Sequence, residues 1–250
     1  MAHKTLINGT AYTVKGGRDL IAGTGYAKKQ GKTLIDGTEH AISFGIPLST
    51  ITPGAILYLN ESGSPVPFYI AKHDYESGLN GAGRTLVVRK DCYDKRAFSS
   101  NKNAFSGSSM DTWINNTWLK LLDADIQAAI GTTKFYYTPG NNNNNVTTLQ
   151  RAVFLLSVTE LGKTSSYANA EGSALPIAST LQIAYLNGSA VTQWTRTPYT
   201  FNSVDVYYLF TNGSLDSTFH SNSNGSRPAF TLPSTFPVIQ NPDGTYSPAA

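Results

Sequence analysis

Apolar residues recur over the first 45 positions with a period of 14. Residues 4–17 read KTLINGTAYTVKGG, 18–31 read RDLIAGTGYAKKQG and 32–45 read KTLIDGTEHAISFG. Leu6, Leu20 and Leu34 fall in register, as do Ile7, Ile21 and Ile35, and Tyr12, Tyr26 and His40 follow a Gly-Thr pair in each copy. Repetition at so many positions marks a repeated structural unit. Within each unit a short apolar run meets Asn8-Gly9, Ala22-Gly23 or Asp36-Gly37. Asn-Gly and Asp-Gly favour the positive backbone angles of a two-residue hairpin turn, so each unit is expected to form two strands of about four residues. A lone hairpin cannot bury its apolar face and must stack on its neighbours, on the main domain or on another chain. The expectation for 1–45 is a docking or oligomerisation arm that makes contact through Leu6, Ile7, Tyr12, Leu20, Ile21, Tyr26, Leu34 and Ile35. A small β-meander packed on the body is the alternative.

The repeat stops at Ile46, and Pro47 with Thr52-Pro53-Gly54 marks a junction to a second unit, 46–250. There, 56–59, 67–73 and 84–90 read as strands, with a turn at 63–67 and a glycine-rich loop at 78–83. Helical spacing is confined to 110–122, with Trp113, Ile114, Leu119 and Leu121 apolar and Ser108 or Ser109 as cap. A short helix at 124–130 is expected next, capped by Asp123 and stopped by Gly131. Residues 151–161 predict a strand with a helical turn closed by Gly162. Further strands are expected at 193–196, 204–209 and 227–232. The five asparagines at 141–145 belong on an exposed loop, because so many amides could not all find buried partners. Strands and helices do not alternate as βαβ, so the fold class is α+β with an antiparallel sheet.

Charged residues make up 14% of the chain, about half the usual share, and the net charge is +3. No basic run exceeds Lys28-Lys29, which argues against a nucleic-acid partner. The single cysteine, Cys92, permits no internal disulfide and no cysteine-based zinc site, and is expected to be a buried thiol in a strand. No apolar leader follows Met1, and no run approaches 18 apolar residues, so neither a signal peptide nor a membrane helix is expected. The chain would be made in the cytoplasm and reach the outside by lysis or within a particle.

Catalytic signatures are sparse. His3, His40, His73 and His220 are not at metal-ligand spacing, and His73-Asp74 are sequence neighbours rather than a spatial pair. There is no Gly-x-Ser-x-Gly, phosphate loop or dinucleotide fingerprint. Asp111, Asp123, Asp125 and Glu160 could supply a carboxylate pair, but two of them read as helix caps and Glu160 ends a helical turn. No catalytic, metal or cofactor site is expected. Residues 199–226 mix aromatics with Asn, Ser, Asp and Gly, a chemistry suited to recognition. A carbohydrate- or protein-binding face is expected there from Tyr199, Tyr207, Tyr208, Asn212, Phe219, His220 and Asn222, with Trp194 nearby. Against this, Val204, Val206, Tyr208 and Phe210 alternate as a strand would, so half of these aromatics can be core. Trp194 also reads as a core residue, and Arg196 and Arg227 as anchors to carbonyls. Asn212-Gly213 and Asn224-Gly225 are ordinary turn dipeptides.

Four ordered segments carry a family resemblance: DTWINNTW at 111–118, VFLLSVTEL at 153–161, WTRTP at 194–198 and SRPAFTLP at 226–233. Together, across roughly residues 55–235, they resemble an uncharacterised domain of phage and Clostridia proteins related in fold to C-type lectins and formylglycine-generating enzymes. The resemblance implies a C-type-lectin-like domain with two helices and a twisted antiparallel sheet, its long loops on one face. The KTLIxGT repeats resemble N-terminal segments of virion-associated proteins in phages of Gram-positive gut bacteria. By this resemblance the chain is a virion surface protein of the tail, collar or capsid. Its partners would be other virion proteins, further copies of itself, and a host surface glycan or protein, without membrane insertion. Two features depart from the relatives on this fold. Cys92 lacks the second cysteine that the copper chemistry needs, and Trp194 is followed by Thr-Arg rather than the Asn-Asp of a calcium site. Asn241-Pro242-Asp243-Gly244 reads as a β-turn. A free-standing carbohydrate-binding module and a tail-associated glycan hydrolase stay open as alternatives.

Overall fold

The computed structural model describes residues 45–249 throughout and, before them, the backbone of Lys4–Ile7, Thr10–Thr13, Gly31–Ile35 and Thr38–Ile42. Lys4–Ile7 pairs antiparallel with Thr10–Thr13, and Gly31–Ile35 with Thr38–Ile42. Ile7 stands opposite Thr10 and Ile35 opposite Thr38, leaving two residues between them in each case, as a two-residue hairpin turn requires. The first and third repeats are thus hairpins, in the register the sequence predicts. Leu20, Ile21 and Tyr26 lie outside the described residues, as do the side chains of Leu6, Ile7, Tyr12, Leu34 and Ile35.

The body is a mixed α+β structure built mainly of sheet. One sheet has eight strands in the order Val153–Phe154, Ala229–Pro233, Arg84–Arg89, Ser64–Lys72, Ile56–Glu61, Tyr246–Pro248, Pro237–Gln240 and Ile46–Pro47. In Ile56–Glu61 the inward set is Leu57, Leu59 and Glu61, the period-two pattern of a strand with one face buried. Arg84–Arg89 lies inside the sheet, and Thr85 to Val88 are all buried, as a strand covered on both faces must be. The turn expected at 63–67 is shorter than predicted. Glu61 pairs with Ser64, and Ser62 and Gly63 take φ of 55° and 76°, so a two-residue turn starts the next strand early.

The helix Ser109–Asn116 begins at Ser108, whose hydroxyl accepts from the Asp111 N–H at 3.0 Å. It stops short of the predicted end, and a 3-10 turn at Trp118–Leu121 replaces its last part. That turn delivers Trp118 to the sheet, where its indole N–H donates to Glu61 Oε2 at 3.1 Å and its ring meets Phe68 and Phe230. Asp123 precedes the next helix, Ala124–Ala129, without capping it through its side chain. Its carboxylate instead accepts from Asn60 Nδ2 at 2.7 Å.

A second sheet has the order Leu215–Phe219, Asp205–Leu209, Gln193–Pro198, Ser223–Gly225 and Lys95–Ala97. It joins the outer edge of the large sheet where the Arg196 N–H donates to the Leu156 carbonyl at 2.9 Å. A separate hairpin, Thr133–Tyr137 with Thr147–Arg151, carries the asparagine run on its exposed connection. Several of these strands were not legible as strands. Leu215–Phe219 is a sheet edge with a polar middle, Asp216 to Thr218, and falls within the segment read as recognition loop. Cys92 is buried as expected but lies outside any strand, in an irregular stretch after Arg84–Arg89.

Gly45, where the arm enters the body, sits against the C-terminal segment. A Cβ there would lie 2.7 Å from the Ala249 Cβ and 2.9 Å from the Pro237 Cβ, so only glycine fits without displacement. Ile46–Pro47 then pairs with Val238 and Pro237. Among the described residues no helix is long and apolar enough to cross a membrane.

Candidate functional site

The structure does not gather the residues expected to form a recognition face. Trp194 is buried, its indole N–H donating to the Arg96 carbonyl at 2.9 Å and its ring packed against Phe98 and Tyr208. Tyr208 and His220 are also buried, with His220 Nδ1 3.0 Å from the Ser99 carbonyl oxygen. These three belong to the core side of the second sheet, because Asp205–Leu209 is covered on both faces rather than one. Asn212 is a turn residue whose Oδ1 accepts from the Ser214 N–H and hydroxyl. Asn222 Nδ2 donates to Thr218 Oγ1. Phe219 is half-exposed beside His220 and joins none of the ring contacts made by Tyr199.

Tyr199 and Tyr207 do meet, with ring centroids 5.5 Å apart in a T-shaped contact. Two rings that sequence reasoning did not select join them. Tyr167 lies 5.2 Å from Tyr199 and 5.3 Å from Phe201, both edge-to-face, and Tyr199 lies 6.1 Å from Phe201. Phe201 is 70% exposed and Tyr167 41% exposed, so their faces are open to a ligand. The Tyr207 ring is buried beneath them, and its hydroxyl meets Ser165 Oγ at 2.7 Å. Burial pushes that phenol up from its ordinary value.

Three loops are laced together to form this face. Thr200 donates from both its N–H and its hydroxyl to the Tyr167 carbonyl, at 3.0 and 2.9 Å. Asn144, in the asparagine run, donates to the Thr200 carbonyl at 3.0 Å, and Asn169 donates to the Asn144 carbonyl at 2.5 Å. Beneath the aromatic loop, Asn202 Oδ1 accepts from the N–H groups of Val204 and Asp205. Asn103 Nδ2 donates to the carbonyls of Asn202 and Asp205 at 2.9 and 3.1 Å. Neither 141–145, 165–169 nor 199–207 contains a Lys, Arg or His. Phe201 had a sequence signal, since it lies inside the segment singled out. Tyr167 had none, because its neighbours in the patch are about 30 residues away in the chain and only tertiary structure brings them together.

Behind the face lies a buried ionic frame. Arg196 is fully buried, and its Nη1 donates to Glu160 Oε2 at 2.6 Å and to the Leu155 carbonyl at 2.8 Å. Its Nε and Nη2 donate to the Tyr136 carbonyl. Glu160 Oε1 also accepts from the Tyr75 hydroxyl. Glu171, likewise buried, accepts from the Thr138 N–H at 2.8 Å and the Thr197 hydroxyl at 3.0 Å. Thr138 precedes the asparagine run, Thr197 precedes Tyr199, and Glu171 follows Asn169. One carboxylate therefore fixes the bases of all three loops. Burial raises the Glu171 carboxyl above its ordinary value, opposed by Arg196 and by the bonds from Thr138 and Thr197. Arg227, by contrast, is buried with no ion pair among the described residues and donates to the carbonyls of Arg89, Lys90 and Leu181. Both arginines thus anchor backbone, as the sequence suggested.

Three of the four carboxylates that could have served hydrolysis are engaged elsewhere. Asp111 receives a fork from Arg151 Nε and Nη2, and Glu160 is sealed with Arg196 and Tyr75. Asp123 and Asp125 border a shallow cleft of about 260 Å³ with Tyr58, Asn60, Pro65 and Ser247, where Asn60 already holds Asp123. His73 faces Thr85 Oγ1 and the Ile51 carbonyl, while Asp74 accepts from the Gly83 N–H, so the two neighbours do not act as a pair. Among the described residues no three His, Cys, Asp or Glu are grouped to hold a metal. Burial pushes the Cys92 thiol up to about 12, far from a nucleophile's range. Asn241 and Gly244 close a turn through the Gly244 N–H and the Asn241 carbonyl, as expected.

A family model described as Domain of unknown function (DUF6273) matches residues 82–234. The match spans more than half of the chain, takes in all four sequence segments and the Glu160–Arg196–Glu171 frame, and leaves out the repeats. The chain belongs to this family. No curated protein and no solved structure matches it.

Proposed function

We propose that this DUF6273 chain is a non-catalytic attachment protein carried on the surface of a bacteriophage virion. In this reading its repeats dock it to other virion proteins, and its body has a C-type-lectin-like fold. The exposed aromatic face of Tyr167, Tyr199 and Phe201 carries the reading. Exposed rings set on a rigid buried frame are what a binding surface requires and what a solvent-facing loop otherwise avoids.

The arm joins the body at Ile46–Pro47, an edge strand of the large sheet. The sparse charge and the hairpin repeats fit a chain that packs beside other subunits through sheet and apolar surface.

Purification of particles from cells expressing the full chain, followed by mass spectrometry and a cryo-EM map, tests this proposal. The chain is expected in stoichiometric density with residues 4–45 against a neighbouring virion protein, and deleting 1–45 should abolish incorporation. Particles free of the chain would overturn it.

A further inference from the structure

We propose that the face formed by Tyr167, Tyr199 and Phe201, rimmed by Asn144 and Asn169, binds a neutral, hydroxyl-rich polysaccharide. The inference rests on reading the chain as a binding protein and adds the ligand's chemical class. Size is the first argument. At about 200 Å² for a whole aromatic side chain, the open parts of Phe201 and Tyr167 with part of Tyr199 amount to roughly 250 Å². A stable protein partner needs about 800 Å² on each side, so the face matches a few sugar rings better than a protein.

Shape and polarity point the same way. The rings are tilted or edge-to-face to one another rather than coplanar, with interplanar angles of 62° for Tyr167–Tyr199 and 67° for Tyr167–Phe201. Crossed rings make no single flat platform, so the most exposed of them, Phe201, offers the face on which the C–H face of a sugar can stack, with Tyr167 beside it. Hydrogen-bonding capacity surrounds them. Asn144 and Asn169 each spend one N–H on the scaffold, and among the described residues neither amide oxygen has a protein partner. Among the described residues the hydroxyls of Tyr167 and Tyr199 likewise have no protein partner. A sugar offers donors and acceptors at this density, whereas a plain apolar ligand would leave them unpaired.

Charge decides between glycan types. The three loops carry no cation, and the acids nearby are Asp205, held by Asn202 Nδ2, and Asp216, whose charge acts on the Tyr207 phenol. Within 141–145, 165–169 and 199–207 a phosphodiester or uronate polymer would meet no cation, the nearest in sequence being Lys163, while a neutral chain needs none.

Affinity electrophoresis of the full chain tests this, in gels containing a neutral glucan, mannan or galactan against gels containing polygalacturonate or polyglycerol phosphate. Retardation is expected in at least one neutral gel and should persist as salt is raised. Phe201→Ala and Tyr167→Ala should each weaken it about tenfold. Phe219→Ala, an exposed ring outside the face, should leave it unchanged. No retardation in any neutral gel, retardation in the anionic gels alone, or undiminished retardation of Phe201→Ala would overturn the inference. Incorporation into particles is scored separately. A chain found on particles that ignores neutral glycans sinks the ligand class alone, and a chain that binds them through Phe201 but is absent from particles sinks the virion role alone.

Discussion

Glu171 and Arg196 hold their charged groups 3.4 Å apart, both side chains fully buried, at the bases of the loops that carry the exposed rings of the candidate site. Glu160 shares the same guanidinium at 2.6 Å. Two carboxylates thus compete for one cation, and the frame that fixes the loops is also where the molecule is most sensitive to charge.

Removing the cation should be costly. Arg196→Met leaves Glu160 and Glu171 buried without their counter-charge and the carbonyls of Leu155 and Tyr136 without a donor. A loss of about 3–5 kcal/mol is expected, the range for breaking a buried pair from one side. Urea unfolding followed by tryptophan fluorescence measures it. A loss below about 1 kcal/mol, the range of exposed pairs, would contradict the buried frame.

Glu171 also gives stability a pH dependence. Its folded pKa lies above the ordinary value of 4.5, chiefly because burial disfavours the charged form. The group binds its proton more tightly in the folded state, so its contribution is fully present below about 4.5 and is lost as pH rises through the raised folded value. Glu171→Gln removes the titration while keeping an acceptor for the Thr138 N–H. The stability of this variant relative to the parent should therefore increase between pH 4.5 and pH 7, read from paired thermal melts. A constant difference across that range would show that the carboxyl is not raised.

Asn115 clips the helix Ser109–Asn116 to the edge strand, accepting from the Val153 N–H at 3.0 Å and donating to its carbonyl at 2.9 Å. Asn115→Ala strips both partners from the Val153 backbone and is expected to cost about 1–3 kcal/mol. Asn115→Asp keeps the acceptor but cannot donate, and it sets a second carboxylate beside Asp111. Chemical denaturation should rank Asp as no better than Ala, whereas an Asp variant matching the parent would mean that the bond to the carbonyl contributes nothing.

Cys92 should report on unfolding. Its thiol is buried and pushed up to about 12, so a thiol-specific reagent at pH 8 is expected to label it only after the fold opens. The same spot is intolerant of volume. A Cβ on Gly225 would come within 2.4 Å of Cys92 Sγ and 2.7 Å of the Thr192 carbonyl oxygen. Gly225→Ala should destabilise by about 1–3 kcal/mol, and Cys92→Ala should restore only part of it, because the contact with backbone remains. Full rescue would place the strain on the sulfur alone.

Local signals carried the sequence reading where the physics is local. Asn8-Gly9 and Asp36-Gly37 specify their hairpins because a two-residue turn needs positive φ that few residues supply. Ser108 declares its helix start because the cap lies three residues from the N–H it satisfies. The alternation of Leu57, Leu59 and Glu61 is the sheet's own period. Edge strands such as Leu215–Phe219 escaped notice, because the polar run Asp216 to Thr218 breaks the alternation that would mark them. The candidate face was legible only in part. Aromatic and amide residues at 199–226 announced recognition chemistry, but nothing local distinguishes Trp194, buried on a core strand, from Phe201, exposed three residues past the end of the same strand.

By itself, then, the sequence determined the repeat period, the α+β class, the helix cap and the turns, all of which depend on contacts within a few residues. Tertiary structure alone decided that Tyr167 joins Tyr199 and Phe201, that Asn144 rims them and that Trp194 and Tyr208 do not. The reason is that Glu171 binds Thr138 and Thr197 at once. These partners lie 33 and 26 residues from it along the chain, and no local pattern encodes a meeting at such separations.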